Sequence, residues 1–219
     1  MSEFSEIEEM YLKTIFEAHT ESPGEIVKTT KLADLMGVSP ASVTEMIQRL
    51  ALREMITHIP YRGCRLTTDG FQLAARIKRR EGLLEVLLRD VIGFKGDVKG
   101  VACKMEHAVG IELEETLDRL LGYPETTISG ERIPSIERDF ATVGVGTLLP
   151  IRSLPEGSSA IVEMIVANDV DSFTIKNSGI ILGASLSVSG GNLTSDDLEI
   201  ILSDSISQKI LARITSMGD

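Results

Sequence analysis

Apolar residues first recur at helical spacing between 5 and 18, where Ile7, Met10, Tyr11, Ile15 and Ala18 alternate with Glu and Lys behind a capping Ser5. This spacing predicts an amphipathic helix. Residues 29–50 hold two shorter helical runs: Gly37 stops the first, Ser39 caps the second and Pro40 occupies its first turn. Packing Leu32, Ala33, Leu35 and Met36 against Val43, Ile47 and Leu50 makes a helix-turn-helix and leaves Ser39, Ser42, Thr44, Glu45, Gln48 and Arg49 facing outward. The alternation over 55–67 predicts a β-hairpin with Arg62-Gly63 at its tip, which completes a winged helix.

Thr68-Asp69-Gly70 opens a long helix whose second half, with Leu83, Leu84, Val86, Leu87 and Leu88, is too apolar for a solvated face. It predicts burial in a helical dimer interface. Gly93 and Gly96 end that helix, and a further helix is predicted over 101–121, with Val101, Ala108, Ile111, Leu113, Leu117 and Leu120 supplying core. Residues 123–134 read as a polar linker. Beyond 145 the texture changes to short β-branched runs at 160–166, 180–183, 186–188, 199–202 and 211–214, separated by turns at 155–157, 168–169 and 190–192. They predict a small five-stranded barrel. The chain has no internal repeat.

Composition narrows the class. With 219 residues and 42% hydrophobic content the chain can bury two or three small cores. No apolar run reaches the roughly 18–20 residues of a membrane span, and the acidic start does not read as a signal peptide, so a cytoplasmic protein with no membrane partner is expected. The only cysteines, Cys64 and Cys103, lie far apart and are expected as reduced thiols or metal ligands. The net charge of −11 conceals a basic region: residues 28–80 carry ten Lys and Arg against four Asp and Glu, whereas 81–140 carry seven against thirteen. That separation is the footprint of a DNA-binding head on an acidic body.

Candidate chemistry centres on Cys103-Lys104-Met105-Glu106-His107. On a continuous helix, 103, 106 and 107 share one face and bring a thiolate, a carboxylate and an imidazole together, a set suited to a borderline divalent transition metal. Spacing alone favours a buried thiol beside a satisfied imidazole over a metal site, and periodicity alone favours Met10 as core packing. An enzyme is not expected: Cys103 and His107 one turn apart chelate more readily than they form an attack geometry, and no P-loop, dinucleotide fingerprint or small-molecule substrate site is evident. Thiol-redox sensing by Cys64 and Cys103 stays as an alternative.

The runs at 9–17 (Glu-Met-Tyr-Leu-Lys-Thr-Ile-Phe-Glu), 66–70 (Leu-Thr-Thr-Asp-Gly) and 102–107 (Ala-Cys-Lys-Met-Glu-His), with Leu154-Pro155-Glu156-Gly157 in the barrel, resemble the diphtheria-toxin-repressor family of metal-dependent transcription regulators over essentially the full length. The resemblance implies an α+β multidomain chain: a winged helix-turn-helix over 1–73, a helical metal-binding and dimerisation domain over 74–140 and an SH3-like β-barrel over 141–219. It implies a homodimer that represses iron-homeostasis genes by binding double-stranded operator DNA when Fe2+ occupies a primary site of Met10, Cys103, Glu106 and His107. Co2+, Ni2+, Mn2+ and Zn2+ are possible substitutes. Sulfur at 10 and 103, where manganese-responsive members carry carboxylates, favours iron; a manganese-responsive regulator is the other metal reading. An ancillary site would fall on Glu81, Glu85 and Asp169, with Lys99 where the family has a His, and so is either rebuilt from carboxylates or absent. For DNA, the helix-turn-helix and hairpin patterns themselves put Ser39, Pro40, Ser42, Thr44, Glu45 and Arg49 on the exposed side of the second helix, with Arg62 and Arg65 on the wing where phosphates are met.

Overall fold

The first helix, α1 (Glu6–Glu21), is set by its own cap. Ser5 accepts from the Glu8 amide at 3.3 Å while the Glu8 carboxylate accepts from the Ser5 amide at 2.9 Å, a reciprocal capping box. Arg53, stacked 3.5 Å over the Phe4 ring, donates to both Glu8 oxygens at 3.3 Å and ties this end to the winged helix. Burial pushes the Glu8 carboxyl up, but the Ser5 hydrogen bonds and the Arg53 charge leave it below its ordinary value. The computed structural model describes residues 4–135, 143–166, 169–196 and 198–218, with backbone alone at 169 and 170.

Helices α2 (Thr29–Met36) and α3 (Pro40–Leu52), then strands β1 (Ile56–Ile59) and β2 (Gly63–Leu66), form the predicted winged helix. Leu32, Val43, Ile47 and Leu50 are buried with Tyr11, Leu12 and Ile15 of α1, each side chain contributing about 1.5–3 kcal/mol. Leu35, predicted to pack, is exposed. β1 pairs antiparallel with β2. Val27 and Cys64 exchange two backbone hydrogen bonds at 3.0 Å, adding a third edge to the wing. Gly63 holds φ at +130°, and a Cβ there would lie 2.0 Å from the Val27 carbonyl oxygen, so no larger residue fits.

Helix α4 (Thr68–Val86) continues into a π-helical turn over Leu87–Val91. Leu83, Leu84, Val86 and Leu88 are already buried within one chain, which corrects their assignment to a dimer face. The predicted helix 101–121 is three pieces: α5 (Val98–Met105), a 3-10 turn over Glu106–Ala108, and α6 (Ile111–Leu120). The break falls at Val109, which is extended (ψ 110°) and precedes Gly110. Ile111 and Leu113, expected in the core, are exposed, while Leu117 is buried. In the polar linker Thr127 donates to the Glu131 carbonyl at 2.8 Å and Ile133 is buried.

The C-terminal part is one antiparallel sheet of six strands, an SH3-like arrangement ordered β3-β8-β4-β5-β6-β7. Its strands are β3 (Leu148–Pro150), β4 (Ser159–Ile165), β5 (Ser185–Ser189), β6 (Asn192–Ser195), β7 (Leu198–Glu199) and β8 (Ile210–Ser216), with α7 (Asp169–Asn177) and the short α8 (Asp204–Ser207). Three of the five predicted strands, 160–166, 186–188 and 211–214, are central; 199–202 shrinks to β7. The run 180–183 is no strand: Gly179 and Gly183 sit at φ +79° and +83° and fold it into a turn whose Ile180 alone is buried. Ile180 packs with Val162, Ile175, Leu186 and Ile210 in the core of this part. Among the described residues no helix is long and apolar enough to cross a membrane.

The chain divides into two compact units. One holds residues 1–82, 99–110 and 132–136; the other holds 83–98, 111–131 and 137–219. The helix-turn-helix, the wing and the Cys103–His107 segment belong to the first.

Candidate metal centre and nucleic-acid interface

Glu9, Met10 and Lys13 lie one turn apart on α1 and so share a side of that helix. That side meets the Cys103–His107 segment. The Lys13 ammonium donates to Glu106 Oε1 at 2.6 Å and to Glu81 Oε1 at 3.3 Å, and lies 3.4 Å from Cys103 Sγ. His107 Nδ1 is 2.6 Å from Glu9 Oε2, and its Nε2 is 3.5 Å from Glu106 Oε1. Glu106 opens the 3-10 turn that follows α5 and has no exposed surface.

Three observations bear on a metal. Glu106 Oε2 is buried and has no hydrogen-bond partner among the described residues, an orphaned acceptor that a cation would satisfy. Glu9 stands against Nδ1, which favours the tautomer with the hydrogen on Nδ1 and the Nε2 lone pair left for a ligand, the second-shell arrangement of metal-binding histidines. Cys103 and Met10 add soft donors, and Met10, 37% exposed one turn from Lys13, remains accessible. Residues Met10, Cys103, Glu106 and His107 therefore fit a borderline divalent ion in donor type. They are not yet gathered around a common point: among the described residues no three His, Cys, Asp or Glu side chains form a metal-holding group, and Lys13 lies among them instead.

Electrostatics follow the burial. Desolvation pulls the Lys13 ammonium down, but the Glu106 hydrogen bond and the Glu106 and Glu81 charges carry it above its ordinary value. Burial pushes the Glu106 carboxyl up to about 7 against the opposing pull of Lys13.

The ancillary candidates fare differently. Glu81 is buried with both oxygens engaged, Oε1 by Lys13 and Oε2 by Lys78 at 2.8 Å, and Lys78 also holds Glu17 at 2.8 Å. Glu85 is buried one turn on along α4. Asp169 opens α7, and its side chain lies outside the described residues. With both its oxygens on ammonium groups, Glu81 does not fit a second metal.

On the winged helix, Ser39 caps α3, accepting from the Ser42 amide at 3.1 Å, and Thr44 back-bonds to the Pro40 carbonyl at 2.9 Å. Ser39, Pro40, Ser42, Thr44, Glu45 and Arg49 are all exposed on one side of α3, while Val43, Ile47 and Leu50 face the core. Arg62 is exposed at the wing tip beside a fully exposed Tyr61. Arg65, expected on phosphate with Arg62, is instead bonded to the Gly24 carbonyl. It braces the loop before α2.

Two family models match in tandem: residues 3–64 match the iron dependent repressor N-terminal DNA binding domain, and residues 67–135 match the iron dependent repressor metal binding and dimerisation domain. The chain belongs to the iron-dependent repressor family. Among its relatives is the iron-dependent repressor IdeR of Mycobacterium tuberculosis, 29% identical over 212 residues that cover 89% of this chain and 90% of that protein. The diphtheria toxin repressor of Corynebacterium diphtheriae is 26% identical over 182 residues, 80% of each chain. Among solved structures, a manganese-dependent transcriptional repressor in complex with manganese is 26% identical with a TM-score of 0.53, covering 94% of this chain and 99% of its own. The structure of T. acidophilum IdeR shares the fold, with a TM-score of 0.51 at 22% identity over 98% of this chain and all of that one. This iron-dependent repressor family consists of metal-dependent DNA-binding transcriptional repressors rather than enzymes.

Sequence reasoning about this family member missed Glu9 and Lys13 as partners of the Cys103–His107 segment, and Glu81 as a partner of Lys13. A signal existed for two of them: Glu9 and Lys13 are one turn apart on the same helix as Met10, which points them at whatever Met10 faces.

Proposed function

We propose that this chain is an Fe2+-dependent repressor of iron-homeostasis genes, binding operator DNA in the cytoplasm as a homodimer, with the metal on Met10, Cys103, Glu106 and His107. The buried, unpartnered Oε2 of Glu106 beside an imidazole oriented by Glu9 carries the reading. Two sulfur donors favour iron over manganese. Closing such a site ties α1 to the Cys103–His107 segment, and α1 packs through Tyr11, Leu12 and Ile15 into the winged helix, so metal binding biases the head toward its DNA-competent arrangement. Ser39, Pro40, Ser42, Thr44 and Glu45 then face the groove, with Arg49 and Arg62 on phosphate. Exposed Ile92, Ile111 and Leu113 offer apolar surface for the dimer.

The experiment is operator binding by the full chain, using the DNA upstream of its own coding region, with chelator and then with Fe2+ or Co2+ added anaerobically. Chelator abolishes binding and metal restores it, whereas Cys103→Ala and Glu106→Ala fail to respond. Tight binding in metal-free solution overturns the proposal. A manganese-responsive reading draws support from the manganese-dependent relative. Restoration by Mn2+ at lower free concentration than Fe2+ would favour it.

A further inference from the structure

The geometry points to Lys13 as a tethered cation that competes with the metal for Glu106 and Cys103, with Glu81 as the carboxylate that receives it when it leaves. This rests on the metal site proposed above. The Lys13 ammonium stands 2.6 Å from Glu106 Oε1 and 3.4 Å from Cys103 Sγ, touching two of the four proposed ligands from one point. A divalent ion bonded to Cys103 and to either oxygen of Glu106, about 2.1 Å from the oxygen and about 2.3 Å from the sulfur, would crowd the ammonium that already contacts both side chains. The two cations compete for that pair. Cys103 and Glu106 accordingly both face Lys13, and among the described residues no three His, Cys, Asp or Glu side chains are gathered for a metal.

A displaced lysine needs a destination, because an ammonium stripped of carboxylate contacts inside a protein is costly. Glu81 supplies one. Its Oε1 already touches Lys13 at 3.3 Å, and its Oε2 is pinned by Lys78 at 2.8 Å, so the acceptor is fixed in place before the metal arrives. Lys13 can shorten that contact and release Glu106 by rotating its own side chain, with no change in α1. The apparent metal affinity is then the intrinsic affinity reduced by the fraction of molecules in which Lys13 has left Glu106. Lys13 and Glu81 set the metal concentration at which the repressor responds.

The test is Co2+ titration of the full-length, metal-stripped protein, read by the thiolate-to-cobalt absorption and by calorimetry, on Lys13→Met, Lys13→Arg, Glu81→Gln and the Lys13→Met/Glu81→Gln pair. Lys13→Met, equal in length but neutral, tightens Co2+ about tenfold or more, and Lys13→Arg stays near wild type. Glu81→Gln weakens Co2+ about threefold or more, since the lysine loses its destination, and the double variant matches Lys13→Met, the non-additivity of two coupled residues. Metal-free Lys13→Met also melts at lower temperature than wild type, because Glu106 is left buried without its partner. Equal or weaker Co2+ binding in Lys13→Met overturns the inference, as does Glu81→Gln weakening Co2+ equally with and without Lys13. Failure of the underlying site looks different: wild type and Cys103→Ala would then take up Co2+ alike, with no thiolate absorption in either.

Discussion

Replacing Cys64 separates core packing from redox sensing, the one rival signal that the cysteine content raises. Its side chain has no exposed surface, and its amide and carbonyl are both taken by Val27 at 3.0 Å. Burial pushes the thiol from its ordinary 9.0 up to about 12. Only the thiolate is nucleophilic, and a thiol raised to about 12 holds about a thousandfold less of it at neutral pH than an ordinary one. Shielding slows it further, since a reagent reaches the sulfur only through transient opening of the wing or α1. In the native protein at pH 8, a disulfide reagent should modify the partly exposed Cys103 first and Cys64 at least about a thousandfold more slowly than a free thiol, while both react in guanidinium. Cys64→Ala should cost about 1–2 kcal/mol for the lost sulfur contacts, and Cys64→Ser about 1–3 kcal/mol more for burying a hydroxyl without a partner. Both variants should keep metal-dependent operator binding and the wild-type response to peroxide. Native-state modification of Cys64 at the rate of Cys103, or loss of an oxidant response in Cys64→Ser, would refute the packing role.

Glu9→Gln should weaken Co2+ binding about 10–100-fold by releasing the His107 ring, a loss that unchanged affinity in the same titration would rule out. Metal-free wild type should lose stability relative to Glu106→Gln as pH rises from about 4.5 to about 7, because the native carboxyl still holds a proton that the unfolded chain has released. Melting curves read this, and wild type gaining stability relative to Glu106→Gln as pH rises would mean Lys13 dominates and holds the carboxyl below its ordinary value. Gly63→Ala should destabilise the winged helix by about 2 kcal/mol or more through its positive φ and the clash with Val27, measured by chemical denaturation. A neutral result there would show that the wing relaxes away from Val27.

The N-terminal half was legible because its signals are local. Ser5, Ser39 and Gly37 are caps that act on the next few amides, and the face carrying Val43, Ile47 and Leu50 is set by helical period alone. Farther along, local texture misled. Residues 101–121 keep an apolar period through Ala108, Val109 and Ile111, so the period runs on where the backbone turns. The strand reading of 180–183 followed its β-branched residues and gave too little weight to Gly179 before the run and Gly183 at its end, which decide the backbone. β3 and β6 are three and four residues long, too short for alternation to register, and pair through β8 and β5.

The site divides the same way. Cys103, Glu106 and His107 were found because they lie within five residues, whereas Lys13 meets Glu106 across 93 residues and Glu9 meets His107 across 98, contacts that only the assembled fold creates. Those long-range partners also explain the charge of the site. The buried Glu81 and Glu106 hold Lys13, Glu81 and the more open Glu17 hold Lys78, and the buried Glu9 holds His107. Burial raises the Glu106 carboxyl within this set, so in metal-free protein it gives up its proton late. A metal on Cys103 and Glu106 would displace that proton and the thiol proton, so its uptake should weaken as pH falls. Lys13 would stay within the carboxylate cluster throughout by passing from Glu106 to Glu81.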